Sequence, residues 1–115
     1  MASILLVDDD VGLVRAGKRL LERKGHEVVT ASNGLEGFVA YQSGAFDLII
    51  TDYNMPVRDG RGLILALQEV GCKVPVIGVS GDVSQFEGIE YSGRLEILPK
   101  PYGRDLFDLL DDCLS

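Results

Sequence analysis

The chain has 115 residues, 46% hydrophobic and 25% charged, a balance that suits one compact domain with a single core and argues against disorder. Its net charge of −7 disfavours non-specific binding to nucleic acid or to an acidic membrane and favours cations and basic partners. No apolar run approaches the roughly 18 residues needed to cross a bilayer, and Met1-Ala2-Ser3 leads straight into a strand-like run without a basic segment or cleavage site, so a cytoplasmic protein is expected.

Short apolar runs then alternate with amphipathic stretches, the pattern of a parallel sheet covered on both faces. Ile4 to Val7 predicts the first strand. A helix follows, with Leu13, Gly17, Leu20 and Leu21 on its core face and Arg15, Lys18, Arg19 and Glu22 toward water, and Gly25 stops it. Glu27 to Ala31 predicts a strand, Leu35 to Ser43 a helix ahead of Gly44, Leu48 to Thr51 a strand, Arg61 to Val70 a helix ahead of Gly71, and Val74 to Val79 a strand. From Asp82 to Arg94 the pattern weakens, because Gly88, Gly93 and two serines lower helix propensity, and a short or mobile helix is expected. Leu95 to Leu98 reads as the last strand. In the final helix Tyr102, Leu106, Leu109, Leu110 and Cys113 fall at core spacing, Asp105, Asp108, Asp111 and Asp112 face outward, and Phe107 and Leu114 lie off the stripe. With no repeat, low-complexity tract or linker, residues 1–115 read as one domain. Cys72 and Cys113 lack metal spacing and, without an export signal, are expected as thiols.

The runs end on reactive side chains: the first on Asp8 and Asp9, the third on Asp52, the fourth on Ser80, the fifth near Lys100. In parallel strands all of these emerge at one sheet edge, where open α/β sheets place their ligands. Two carboxylates 4 Å apart repel by about 4 kcal/mol at an effective dielectric near 20, so a cation is needed. Magnesium, a hard ion that takes oxygen ligands and typically uses one or two carboxylates with waters and a phosphate, suits the set. With Lys100 as a second positive charge and Ser80 as a neutral donor, the group describes a receptor for a phosphoryl group carried on a carboxylate. Asp52 would be the nucleophile and an acyl phosphate the product. Asp10 reads as the cap of the first helix rather than a metal ligand, and His26, after a helix-ending glycine, as exposed and inert.

Ile4-Leu5-Leu6-Val7-Asp8-Asp9-Asp10, Asp52-Tyr53-Asn54-Met55-Pro56-Val57-Arg58-Asp59-Gly60, Val79-Ser80-Gly81 and Pro99-Lys100-Pro101-Tyr102 together resemble the receiver domains of two-component response regulators, over essentially the whole chain. The resemblance implies a doubly wound, flavodoxin-like fold, a five-stranded parallel sheet of order 2-1-3-4-5 with helices on both faces. It implies Asp52 as phosphorylation site, Asp9, Asp52 and the Asn54 backbone carbonyl as direct magnesium ligands with Asp8 a ligand through water, Ser80 and Lys100 as phosphoryl-binding groups, and a cis Lys100–Pro101 peptide. The donor would be a histidine kinase or a histidine phosphotransfer protein. The downstream partner would meet the face formed by the fourth helix, fifth strand and fifth helix, with Phe107 and Leu114 in its apolar part and without direct contact to nucleic acid or membrane. Attack of water on the acyl phosphate would be flanked by Asn54 and Asp82. One departure is Ile97, where the family commonly carries a tyrosine or phenylalanine that swings inward on activation.

Two other readings compete. An aspartate-dependent phosphatase needs a second acid two residues after the nucleophile, and that residue is Asn54. A flavin-binding module needs a hydroxyl-rich phosphate loop where three aspartates stand. A phosphoryl-accepting switch is the expectation, either as a complete single-domain regulator, which the position of Met1 favours, or as a receiver from a larger protein.

Overall fold

The computed structural model describes residues 1–101 and 103–115. Five parallel strands, β1 (Ser3–Val7), β2 (Glu27–Ala31), β3 (Leu48–Asp52), β4 (Val76–Ser80) and β5 (Leu95–Pro99), form one sheet in the order β2-β1-β3-β4-β5. The helices are α1 (Val11–Arg23), α2 (Gly34–Ser43), α3 (Gly60–Glu69) and α4 (Arg104–Leu114), with one 3₁₀ turn, Val83–Phe86, between β4 and β5. This is the expected doubly wound α/β fold. The fourth strand starts two residues later than predicted, after Pro75, which has no N–H to give to a ladder.

Alternation along the strands divides the core. Ile4, Leu6, Leu48, Ile50, Ile77 and Val79 face α1 and α4, where Leu21, Leu106 and Leu110 are buried against them. Leu5, Val7, Ile49 and Val76 face the other way, toward Leu63, Ile64 and Leu67 of α3 and the buried Phe86. Cys72 belongs to this second layer and Cys113 packs against the first, so the sheet separates the two free thiols.

Three expectations change. Leu13 and Leu20 share the face of Leu21 but remain exposed, lining with Ala16, Gly17 and Phe107 a groove of about 220 Å³ between α1 and α4. Phe107 lines that groove with Lys24 5.0 Å above its ring, so it faces α1 rather than β5, while Leu114 is half-buried against the first core layer. His26 is half-buried, its Nδ1 accepting the Ala2 N–H at 3.1 Å, and so ties down the chain start. The expectation for Tyr102 lies outside the described residues.

The segment after β4 makes one 3₁₀ turn and no α-helix, and it is anchored by side chains. Phe86 sits over Gly78 and edge-on to Tyr53, with ring centroids 4.9 Å apart. Tyr91 donates to the Val74 carbonyl, and Gln68 holds Ser92 through both its N–H and its hydroxyl. Gly88, at φ +76°, turns the chain out of any continued helix. A methyl group on Gly78 would come within 2.6 Å of the Phe86 ring and 3.1 Å of Ile97 Cδ1. Gly78→Ala is therefore expected to lower unfolding stability by about 1–3 kcal/mol in a urea titration, with Phe86→Leu in the same chain recovering part of the loss; an unaffected midpoint would show that the ring is not seated there.

Candidate functional site

Ladder register brings the polar groups together. Thr51 pairs with Val7 and Gly78, Asp52 with Val79, and Ser80 with Pro99. Backbone bonds continue one residue past the strands, from Asp8 N–H to Ala31, Tyr53 N–H to Val79 and Lys100 N–H to Ser80, at 3.0, 3.1 and 2.9 Å. The roots of Asp8, Tyr53 and Lys100 are thus fixed by the sheet itself.

Asp8, Asp52 and Ser80 are buried, Asp9 is exposed, and Lys100 is half-buried. The Lys100 ammonium lies 3.2 Å from Asp52 Oδ1 and 3.8 Å from Asp8 Oδ2, one cation shared by two buried carboxylates. Carboxylate oxygens of Asp8, Asp9 and Asp52 fall within 4.8 Å of one another, a donor set that fits a hard divalent cation. Asp52 Oδ1 also accepts the Tyr53 N–H, and Asp8 Oδ1 the Asp10 N–H. Asp10 caps α1 by accepting the Leu13 N–H at 3.1 Å, as its position suggested.

The loop after Asp52 is shaped by a close return. Gly60 N–H donates to the Tyr53 carbonyl at 2.8 Å, and a Cβ there would lie 2.7 Å from the Asp52 carbonyl. Only glycine allows α3 to begin so near the end of β3. Asp59 caps α3 through the Gly62 N–H. Val57 adopts φ +67°, a left-handed conformation costing a branched residue roughly 1–2 kcal/mol, which the loop sustains in making that return. The Lys100–Pro101 peptide is cis.

Ser80 Oγ does not point to empty space: it donates to Gln85 Oε1 at 2.6 Å and accepts the Asp82 N–H at 3.0 Å. Gln85 also faces Asn54, their amides exchanging contacts of 3.4 and 3.3 Å. The carboxylate of Asp82 accepts from the N–H and hydroxyl of Ser84, capping the 3₁₀ turn. The side chain that meets Asn54 is therefore Gln85, while the Asp82 carboxylate is engaged within its own turn. Sequence reasoning missed Gln85, and also Arg61, whose guanidinium donates to Tyr53 Oη and to the carbonyls of Gln85 and Glu87. Neither lies in a strand-end motif, which is where a polar edge announces itself.

With this geometry in place, comparison with known proteins decides the family. The model of the response regulator receiver domain matches residues 4–110. The chain belongs to the response regulator receiver domains. It is 35% identical to the transcriptional regulatory protein GlrR of Escherichia coli (strain K12) over 99% of its own length and 26% of that protein's. To the transcriptional regulatory protein CpxR homolog of Haemophilus influenzae it is 34% identical, over 89% of this chain and 45% of the other. Among solved structures, the Vibrio cholerae chemotaxis protein CheY4 superposes with a TM-score of 0.86 at 29% identity, covering 99% of both chains. A receiver domain protein from Clostridium thermocellum gives 0.88 at 29%, covering 99% of this chain and 94% of that one. This receiver thus spans less than half the length of the curated relatives it matches. Because those relatives are named transcriptional regulators, the expectation of no direct nucleic-acid contact has no support at the level of such a whole protein. The phosphatase alternative is not favoured. Among the described residues, no helix is long and apolar enough to cross a membrane.

Burial raises the Asp8 carboxyl above its ordinary value; the Asp10 N–H bond opposes this, Asp52 adds to it, and Lys100 opposes it. A raised carboxyl favours folding while protonated, and that contribution is lost as pH rises through the raised value. In metal-free buffer at pH 7, Asp8→Asn is therefore expected to melt above the wild type, with the gap closing as pH falls toward ~4. A gap that widened on acidification would reverse the sign argued here.

Proposed function

We propose that residues 1–115 act as one phosphoryl-accepting switch, with Asp52 as phosphoacceptor. The observation that carries this reading is the Asp52 carboxylate at the end of β3, 3.2 Å from the Lys100 ammonium and clustered with Asp8 and Asp9. A carboxylate oxygen of Asp52 attacks the phosphorus of a phosphohistidine on a histidine kinase or phosphotransfer protein. The P–N bond breaks, the imidazole leaves with its electron pair, and an acyl phosphate remains on Asp52. Lys100 neutralises charge on the transferred oxygens, and Ser80 donates a hydrogen bond to one of them. Asp8, Asp9, Asp52 and the Asn54 carbonyl would hold magnesium, which when bound supplies positive charge against the same oxygens. Hydrolysis by water returns Asp52 to its carboxylate, so the domain needs no activity beyond its own phosphorylation and reset, and a cytoplasmic setting serves it.

The output face follows from where the phosphoryl group pulls. Ser80 leads directly into the turn at Val83, which is exposed, and from there to β5 and α4. Across that face Arg94 bridges Glu96 of β5 and Asp112 of α4, both at 2.7 Å. The expected partner surface is therefore the 3₁₀ turn, β5 and α4, with the turn standing where a fourth α-helix was anticipated. Ile97, half-buried against the Phe86 layer, is stiff at χ1 and cannot act as a two-position ring.

Incubation with acetyl phosphate and magnesium is expected to place one acid-labile phosphoryl group on Asp52, mapped by mass spectrometry, and Asp52→Ala to abolish it. Label on His26, or undiminished labelling of the Ala variant, would overturn the assignment.

A further inference from the structure

Gln85 reaches both sides of the site mouth. It grips Ser80 on the β4 side at 2.6 Å and meets Asn54 on the β3 side at 3.3 and 3.4 Å. The short bond to Ser80 is the strong one; the amide pair is long. Its backbone is fixed independently, since Arg61 Nη2 reaches the carbonyls of Gln85 and Glu87 at 2.7 and 2.9 Å and the adjoining Phe86 is buried against Gly78. The side chain can therefore let go without the turn unfolding.

A serine hydroxyl has one proton to donate. While Gln85 Oε1 accepts it, no phosphoryl oxygen can, and the Asp82 N–H already occupies an acceptor position on the same oxygen. We propose that Gln85 is a latch: a positioning residue that holds the Ser80 proton in the unphosphorylated domain, restrains phosphorylation of Asp52, and is displaced when the phosphoryl group takes that proton. The proposal rests on Asp52 being the phosphoacceptor. Displacement is also the first movement handed to the partner face, because Gln85 lies within the turn that begins it. Here a side-chain release does what an aromatic swing at position 97 cannot.

Two substitutions pull in opposite directions. Gln85→Leu frees the Ser80 proton, whereas Gln85→Glu offers it a charged acceptor, a stronger one, and adds negative charge where the phosphoryl group must come. With acetyl phosphate and magnesium, the rate of Asp52 labelling is expected to rise roughly fivefold in Gln85→Leu, the net worth of one neutral hydrogen bond, and to fall by at least as much in Gln85→Glu. Amide exchange at Ser84 to Phe86 in unphosphorylated Gln85→Leu should match that of the phosphorylated wild type. A mere folding defect would slow both variants. Rates that move in the same direction, or a Gln85→Leu rate equal to the wild type with Asp52 still labelled, would overturn the latch. No label on wild-type Asp52 would defeat the phosphoacceptor reading, and the latch with it.

Discussion

One ammonium group serving two buried carboxylates sets the terms for the rest of the molecule. Lys100, after β5, reaches across the end of β4 to sit 3.2 Å from Asp52 of β3 and 3.8 Å from Asp8 after β1. Neither carboxylate could be held there without a cation, since removing a charge from water costs several kcal/mol unless it is paired. One positive charge does not balance Asp8, Asp9 and Asp52 together, so the edge keeps a negative surplus that favours a divalent ion. The surplus is a consequence of the parallel sheet, in which backbone bonds past the strand ends root Asp8 on Ala31, Tyr53 on Val79 and Lys100 on Ser80, all at the same edge.

The neutral half of the site follows different rules. Ser80 is buried with its hydrogen bonds filled from a segment that belongs to neither sheet nor α-helix. That segment is held by a ring over a glycine and by a guanidinium on two carbonyls, contacts that fix its backbone and leave the Gln85 side chain exchangeable. In the proposed switch, a change of hydrogen-bond partner at Ser80 would act on this turn, which packs against β4 and β5. Packed interiors move between discrete arrangements rather than deforming smoothly, which is what a switch requires.

The sheet was legible because four of the strands are apolar runs closed by an aspartate, a proline or a glycine turn, and the exposed edge strand β2 still carries Val28, Val29 and Ala31 between a helix-ending glycine and a Ser-Asn-Gly turn. Asp8, Asp9, Asp52, Ser80 and Lys100 were legible for the same reason: side chains at the ends of parallel strands must share an edge. Asp10 could be assigned as a cap from its place ahead of α1. Gln85 and Arg61 could not be found, because a bridge from a turn to a strand end depends on tertiary placement and leaves no period in the sequence. Leu13 and Leu20 misled through a true amphipathic pattern, since a helix face says where apolar residues point and not whether a neighbour comes close enough to cover them. The segment from Asp82 to Arg94 was correctly poor in helix, but its order comes from Phe86, Tyr91 and Gln68, whose contacts lie far along the chain.

Calorimetric titration of the metal-free protein at pH 7 tests most directly the proposed magnesium site at this edge. One magnesium per chain is predicted, its heat lost in Asp9→Asn and kept in Asp10→Asn, whose side chain is committed to capping α1. Binding that is absent from the wild type, or that depends on Asp10 as strongly as on Asp9, would contradict the account.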